Sequence, residues 1–147
     1  VLANHPGIEL RQVSSFYRTE PIGFASENWF INGVLHVDTI LRPQDLLVEM
    51  LRIESLFGRK RKERWESRTL DLDLLFYGNL IIHTPLLQLP HPRICERRFV
   101  LEPLAEIVPS KVHPVLHKTI AGLLIESSGS LERQKLEKIG SSSGVKI

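Results

Sequence analysis

The segment Arg68-Thr-Leu-Asp-Leu-Asp-Leu-Leu-Phe-Tyr-Gly78 constrains this chain more than any other. Leu70, Leu72 and Leu74 alternate with Asp71 and Asp73, which is the period of a β-strand. Residues two apart on a strand face the same way, roughly 6.6 Å apart at about 3.3 Å per residue. The spacing predicts a strand over 69–76, leucine on one face and two carboxylates on the other. Like charges held this close repel, and either a proton on one or a cation between them relieves the repulsion. Hard divalent ions take oxygen ligands, and such sites serve phosphoryl chemistry. Taken alone, the pattern equally suits the solvated face of an amphipathic strand.

The flanks shift that balance. Upstream, Gly58-Arg-Lys-Arg-Lys-Glu-Arg-Trp-Glu-Ser-Arg68 places six cations in the ten residues after the glycine. Downstream lies Leu89-Pro-His-Pro-Arg-Ile-Cys-Glu-Arg-Arg-Phe-Val100. Carboxylates between two basic loops suit a polyphosphate that brings magnesium, since arginine forks match phosphate oxygens and magnesium bridges them. A solvated loop or a nucleic-acid patch would explain the cations but not the aspartates.

Length and composition narrow the class. The 147 residues suffice for one domain with a real core. A net charge of +2 is too mild to imply DNA or a membrane surface, and the basic charge is local, which suits a small anion. Cys95 is the sole cysteine, so no disulfide forms within the chain, in keeping with a reducing, cytoplasmic setting. No apolar run reaches the length of a membrane span.

The pattern of elements is mixed. Ile8–Thr19 reads as a strand with a phase change near Val13, and Trp29–Ile40 as a second, antiparallel to it. Pro43 opens a helix whose stripe is Leu46, Met50, Ile53 and Phe57, ended by Gly58. Tyr77-Gly-Asn79 is a turn and Leu80–His83 a returning strand. Phe99–Ile107 is a short helix interrupted at Pro103, and Thr119 caps a last core helix through Ile125. Residues 130–139 have weak helical periodicity and 140–144 read as linker. With no βαβ glycine fingerprint, the fold class is α+β with a mainly antiparallel sheet, a domain over 1–126 and a tail or linker over 127–147. His113 and His117 are four apart, but Pro114 between them argues against a zinc helix.

Three motifs, S-S-F-Y-R-T-E-P-I-G at 14–23, R-T-L-D-L-D-L-L-F-Y-G at 68–78 and L-P-H-P-x(4)-R-R-F-V-L-x-P-L-x-E-I at 89–107, resemble 6-hydroxymethyl-7,8-dihydropterin pyrophosphokinases in order and spacing. The resemblance runs from about Ile8 to Leu124. It implies a ferredoxin-like α/β sandwich whose first strand and most of whose first helix are missing here, leaving a slot in the sheet.

The resemblance further implies transfer of pyrophosphate from ATP, the co-substrate, to 6-hydroxymethyl-7,8-dihydropterin in folate biosynthesis. Asp71 and Asp73 would hold two magnesium ions, with Arg68 and Arg59 catalytic. His91, Arg97, Arg61 and Arg64 would bind ATP, Arg59 and Arg61 from a mobile lid with Trp65 anchoring its base. Phe30 and Phe99 would sandwich the pterin, while Asn32, the Thr19–Gly23 backbone with Pro21, and Glu54 meet its edge. Arg98 would face solvent. Nucleic acid and membrane are not among the expected partners; fusion to, or contact with, the next folate enzyme is. Two other classes share some features: a two-metal nuclease would want the aspartates and cations, and a non-catalytic RNA-binding module would want the basic loop and aromatics but not Asp71 or Asp73.

Overall fold

β-Branched and aromatic residues recur through 8–19 and 30–40, and both stretches are strand in the computed structural model, which describes residues 5–19, 30–58, 70–127 and 136–140. Each expected strand is broken once. β1 (Ile8–Val13) and β2 (Phe16–Thr19) are parted by Ser14-Ser15, and β3 (Phe30–Asn32) and β4 (Leu35–Thr39) by Gly33-Val34. β1 pairs antiparallel with β4, Leu10 opposite Val37, and β2 with β3, Tyr17 opposite Asn32. The phase change near Val13 is thus a change of sheet; the bulge itself lies earlier, between Leu10 and Gln12.

The two breaks lock together. The Ser14 amide donates to the Val34 carbonyl at 2.9 Å, and the Val34 amide donates to Ser14 Oγ at 2.8 Å. A Cβ on Gly33 would stand 2.9 Å from the Phe16 ring, so any larger residue would have to push that ring aside.

α1 (Pro43–Gly58) follows as expected, proline starting it at a position with no helical amide bond to lose. Its buried stripe is Leu46, Met50 and Ile53, and Leu46 and Met50 pack with Ile8. A second cluster joins Val34, Ile94, Val100, Leu101, Leu104, Ile120 and Leu123. Each such side chain is worth about 1.5–3 kcal/mol of transfer free energy.

Over its described part, Leu70–Phe76, the strand expected at 69–76 is not one. Its side chains keep the period, with Asp71 and Asp73 exposed and Leu72 and Leu74 half-buried, yet no strand among the described residues pairs with Leu70–Phe76. A ladder needs a neighbouring backbone, and alternation alone cannot supply it. Side chains hold the segment instead. Leu72, Leu74 and Tyr77 pack on the α1 cluster, Leu75 and Phe76 on the second. The Tyr77 hydroxyl donates to the Leu41 carbonyl. At the turn, Gly78 takes a φ of +56°, and Lys111 Nζ donates to its carbonyl at 2.8 Å and to Asn79 Oδ1 at 3.0 Å. The returning strand is shorter than expected: β5 (Ile82–His83) pairs with β6 (Gln88–Leu89).

A 3-10 turn at Ile94–Glu96 leads into α2 (Arg98–Ile107). Pro103 does not interrupt α2, because its ring is fully buried and packing outweighs one lost amide bond. Before α3 (Ile120–Ser127), Thr119 Oγ1 accepts the Gly122 amide at 3.1 Å, the expected cap, and the helix runs two residues past Ile125. β7 (Leu136–Gly140) replaces the weakly helical reading of 130–139 over the part described: it adds antiparallel to β2, whose edge offers backbone partners that a faint periodicity cannot. The class is therefore α+β, in small sheets whose strand pairs among the described residues are antiparallel.

Candidate active site

One edge of β4 is paired with β1, and β4 also lines a groove of about 570 Å³ whose opposite wall is Asp71–Gly78. Leu46 and Met50 of α1 and Val100 and Leu104 of α2 line its apolar part. Asn32, Asp71, Asp73 and Phe99, four residues singled out by sequence, meet in this lining. The bend at Gly33 delivers Asn32 at the end of β3, and the second residue of α2 delivers Phe99.

Arg97 immediately precedes α2. Its Nη1 lies 3.6 Å from Asp73 Oδ2, and its guanidinium carbon 5.6 Å from the Phe99 ring centroid, a cation–π contact. One cation thus touches both the carboxylate segment and the aromatic. Arg98 turns away, 3.5 Å from Glu102 one helical turn on.

His91 is tied to the same wall. Its amide donates to the Leu75 carbonyl at 2.9 Å. Its Nδ1 accepts the Arg93 amide at 3.2 Å, so the neutral ring carries its proton on Nε2. Burial lowers the His91 pKa; Asp73 opposes this, and Arg97 and Arg93 reinforce it. The imidazole is therefore a neutral N–H donor near neutral pH.

Asp71 and Asp73 present exposed oxygen ligands two residues apart. Among the described residues no third His, Cys, Asp or Glu joins them in a metal-holding group. An ion there would take its other ligands from water or phosphate, the way magnesium is usually held, so the donor set fits that ion.

Thr19 and Phe30 are register partners in β2 and β3. Glu54 lies on α1 one turn beyond Met50 and is not part of the groove lining. Pro21, Arg59, Arg61, Arg64, Trp65 and Arg68 lie outside the described residues. Lys111, which lines the groove and sits 5.5 Å from the Phe76 ring centroid, carries no sequence mark beyond its charge.

The family model described as 7,8-dihydro-6-hydroxymethylpterin-pyrophosphokinase matches residues 1–109. The chain belongs to this family. It is 41% identical over 149 residues to the 2-amino-4-hydroxy-6-hydroxymethyldihydropteridine pyrophosphokinase of Synechocystis sp., covering 92% of this chain and 76% of that protein. It is 43% identical over 107 residues to the pyrophosphokinase of the same name from Bacillus subtilis, covering 73% and 64%. The bifunctional protein FolKE of Lactococcus lactis subsp. cremoris is 37% identical over 125 residues, 84% of this chain and 36% of that longer protein. As a pyrophosphokinase of this family the chain is a transferase acting on hydroxymethyldihydropterin in folate biosynthesis. No helix among the described residues is long and apolar enough to cross a membrane.

Proposed function

We propose that the groove joins ATP to 6-hydroxymethyl-7,8-dihydropterin. The hydroxymethyl oxygen attacks the β-phosphorus of ATP, the bond to the α-phosphate oxygen breaks, the hydroxyl proton is released, and AMP leaves. The observation that carries this reading is the meeting of Asn32, Asp71, Asp73 and Phe99 in one groove with Arg97 against Asp73.

Each residue has a role its chemistry suits. Phe99, with Phe30, stacks on the flat pterin, and Asn32 offers donors and an acceptor to its amide-like edge, beside the Thr19 backbone and Pro21. Asp71 and Asp73 would hold two magnesium ions, which when bound neutralise charge on the phosphate oxygens. Arg97 and the Nε2–H of His91 hold phosphate oxygens in line, and Arg59, Arg61, Arg64 and Arg68 add cations. Positioning and fixed charge supply most of the rate in such transfers. Glu54 would meet the pterin edge. We place the enzyme in the cytoplasm, and a ferredoxin-like sandwich is the architecture that would bring β1, β4 and Leu70–Phe76 into one sheet. Fusion to another folate enzyme, as in the bifunctional relative, is compatible with this reading.

The test is incubation with ATP, magnesium and the hydroxymethyl-dihydropterin. AMP and the pterin diphosphate should appear in equal amounts. A folded preparation that forms neither overturns the proposal, and cleavage of an oligonucleotide instead would favour the two-metal nuclease.

A further inference from the structure

Glu106, exposed in the last turn of α2, accepts more hydrogen bonds than an exposed carboxylate at a helix end needs. Its Oε1 accepts the Ser15 amide at 2.8 Å and the Ser15 hydroxyl at 2.6 Å, and its Oε2 accepts the Tyr17 hydroxyl at 2.7 Å. Ser15 and Tyr17 are both buried. The carboxylate therefore grips β2 at its start from the far end of α2.

The placement of the two anchors gives this grip a use. Tyr17 is the cross-strand partner of Asn32. Glu106 lies seven residues after Phe99 on α2, about two turns and about 10.5 Å along the same helix face. One end of the contact is thus continuous with the strand pair bearing Asn32, the other with the helix bearing Phe99. Asn32 and Phe99 have no element in common; they face one groove from β3 and α2. Among the described residues, the hydrogen bonds from Ser15 and Tyr17 to Glu106 join the start of β2 to α2.

We propose that Glu106, through Ser15 and Tyr17, is a positioning residue that sets the separation of Asn32 and Phe99 and so tunes the enzyme for the flat pterin ring. The inference rests on the functional reading above. Without the clamp, the β2–β3 pair and α2 drift relative to one another. The pterin then loses either its edge contacts or its stacking. The phosphate side, built on Asp71, Asp73, His91 and Arg97, is tied together by its own bonds, the His91 amide to Leu75 and Arg97 to Asp73, and is less affected. Burial raises the Glu106 pKa, but the bonds from Ser15 and Tyr17 and the charge of Lys138 more than reverse this, which keeps the carboxylate ionised as an acceptor.

The test compares Glu106→Ala, Glu106→Gln, Tyr17→Phe and Leu123→Ala in the full chain, well below their melting temperatures. Leu123 is buried on α3, outside the groove, and controls for lost stability. Glu106→Ala should raise KM for the pterin about tenfold or more, while KM for ATP and kcat change less than about twofold. Tyr17→Phe should show a smaller rise. Glu106→Gln, which keeps an acceptor for Ser15, should restore most of the pterin KM. Leu123→Ala should lower Tm with the pterin KM unmoved. Should Glu106→Ala fail to fold, Glu106→Gln and Tyr17→Phe still give the order expected. Equal rises in both KM values, or a pterin KM that follows Tm across all variants, overturn the proposal.

Hydrogen exchange separates its failure from failure of the functional reading. Cutting the clamp should speed exchange at the Ser15, Ile31 and Asn32 amides in Glu106→Ala, and Glu106→Gln should reverse it, whether or not the protein turns over a pterin. Unchanged exchange in Glu106→Ala overturns the clamp, while absence of AMP from the unaltered chain overturns only the function.

Discussion

The two walls of the groove are built on different principles. β4 is held by backbone: it forms a ladder with β1 from Ile8–Thr39 to Val13–Leu35, to which Val37 packing on the α1 cluster and the Thr39 hydroxyl donating to the Gly7 carbonyl are added. Asp71–Leu74 has the same alternation of exposed and half-buried side chains, but Asp71–Gly78 has no ladder among the described residues. Leu72, Leu74, Tyr77, Leu75 and Phe76 insert into two separate clusters, and a few bonds, from Tyr77 to Leu41 and from His91 to Leu75, fix the rest. One wall is held first by its backbone ladder. The other owes its place to side chains and is correspondingly easier to disturb, although it carries the carboxylates.

The largest effect should come from the side-chain-held wall. Asp71→Ala or Asp73→Ala should cut turnover by roughly 10²–10³-fold, the usual cost of losing one charge contact in a transition state. Both residues are exposed, so melting should move little, within about 0.5 kcal/mol. Glu9→Ala, exposed on the laddered side, should change neither quantity. Steady-state rates beside melting curves check this, and near-normal turnover in the double aspartate variant would remove the acidic wall from the chemistry.

A smaller effect tests where the laddered wall bends. Gly33→Ala drives a Cβ against Phe16, an overpacking worth about 1–3 kcal/mol in a denaturant titration. If stability is unchanged, the bend is not the tight junction described. Smaller again, Tyr77→Phe removes the bond to Leu41, about 0.5–1.5 kcal/mol. Exchange should quicken over 72–78 and stay slow in β4. Equal quickening of both walls would mean that they unfold as one and that the contrast is false.

The mildest probe is pH. The pKa of Glu106 is lowered in the folded protein, so its stabilising share is complete above the ordinary glutamate value of about 4.3 and is lost as pH falls through the lowered one. The Tyr17 pKa is raised, by burial first and then by its bond to Glu106. Its share is complete below the ordinary tyrosine value of about 10 and is lost as pH rises beyond it. Glu106→Gln should flatten the acid limb of a plot of stability against pH, and an unchanged limb would show that Glu106 contributes nothing there.

How far the sequence reached follows the same division. Helix α1 was legible because proline, stripe and glycine are all local signals, and so was the Thr119 cap. Asp71, Asp73, Asn32 and Phe99 could be named in advance, and the groove does unite them. What could not be read was anything decided by a partner distant in sequence. Whether Leu70–Phe76 joins a sheet depends on a neighbouring backbone, not on its own alternation. β7 forms because β2 offers an edge, and Pro103 stays helical because its ring is buried. The break at Ser14 and Gly33 needed knowledge that Phe16 packs over the glycine. Glu106 sits inside the third motif, but nothing local marks its role; only the meeting of α2 with β2 gives it three bonds.

The bond from the His91 amide to the Leu75 carbonyl has a mechanical consequence. It rivets the loop carrying the imidazole to the segment carrying the carboxylates, two residues beyond Asp73. The two then travel together: a thermal excursion of one is copied by the other, so their spacing varies less than either position. Transfer of a group between oxygens is sensitive to relative distance, where about 1 Å of error can cost roughly 10²-fold, and indifferent to where the whole assembly stands. A wall without a ladder can therefore drift as a body and still keep its instruments in register.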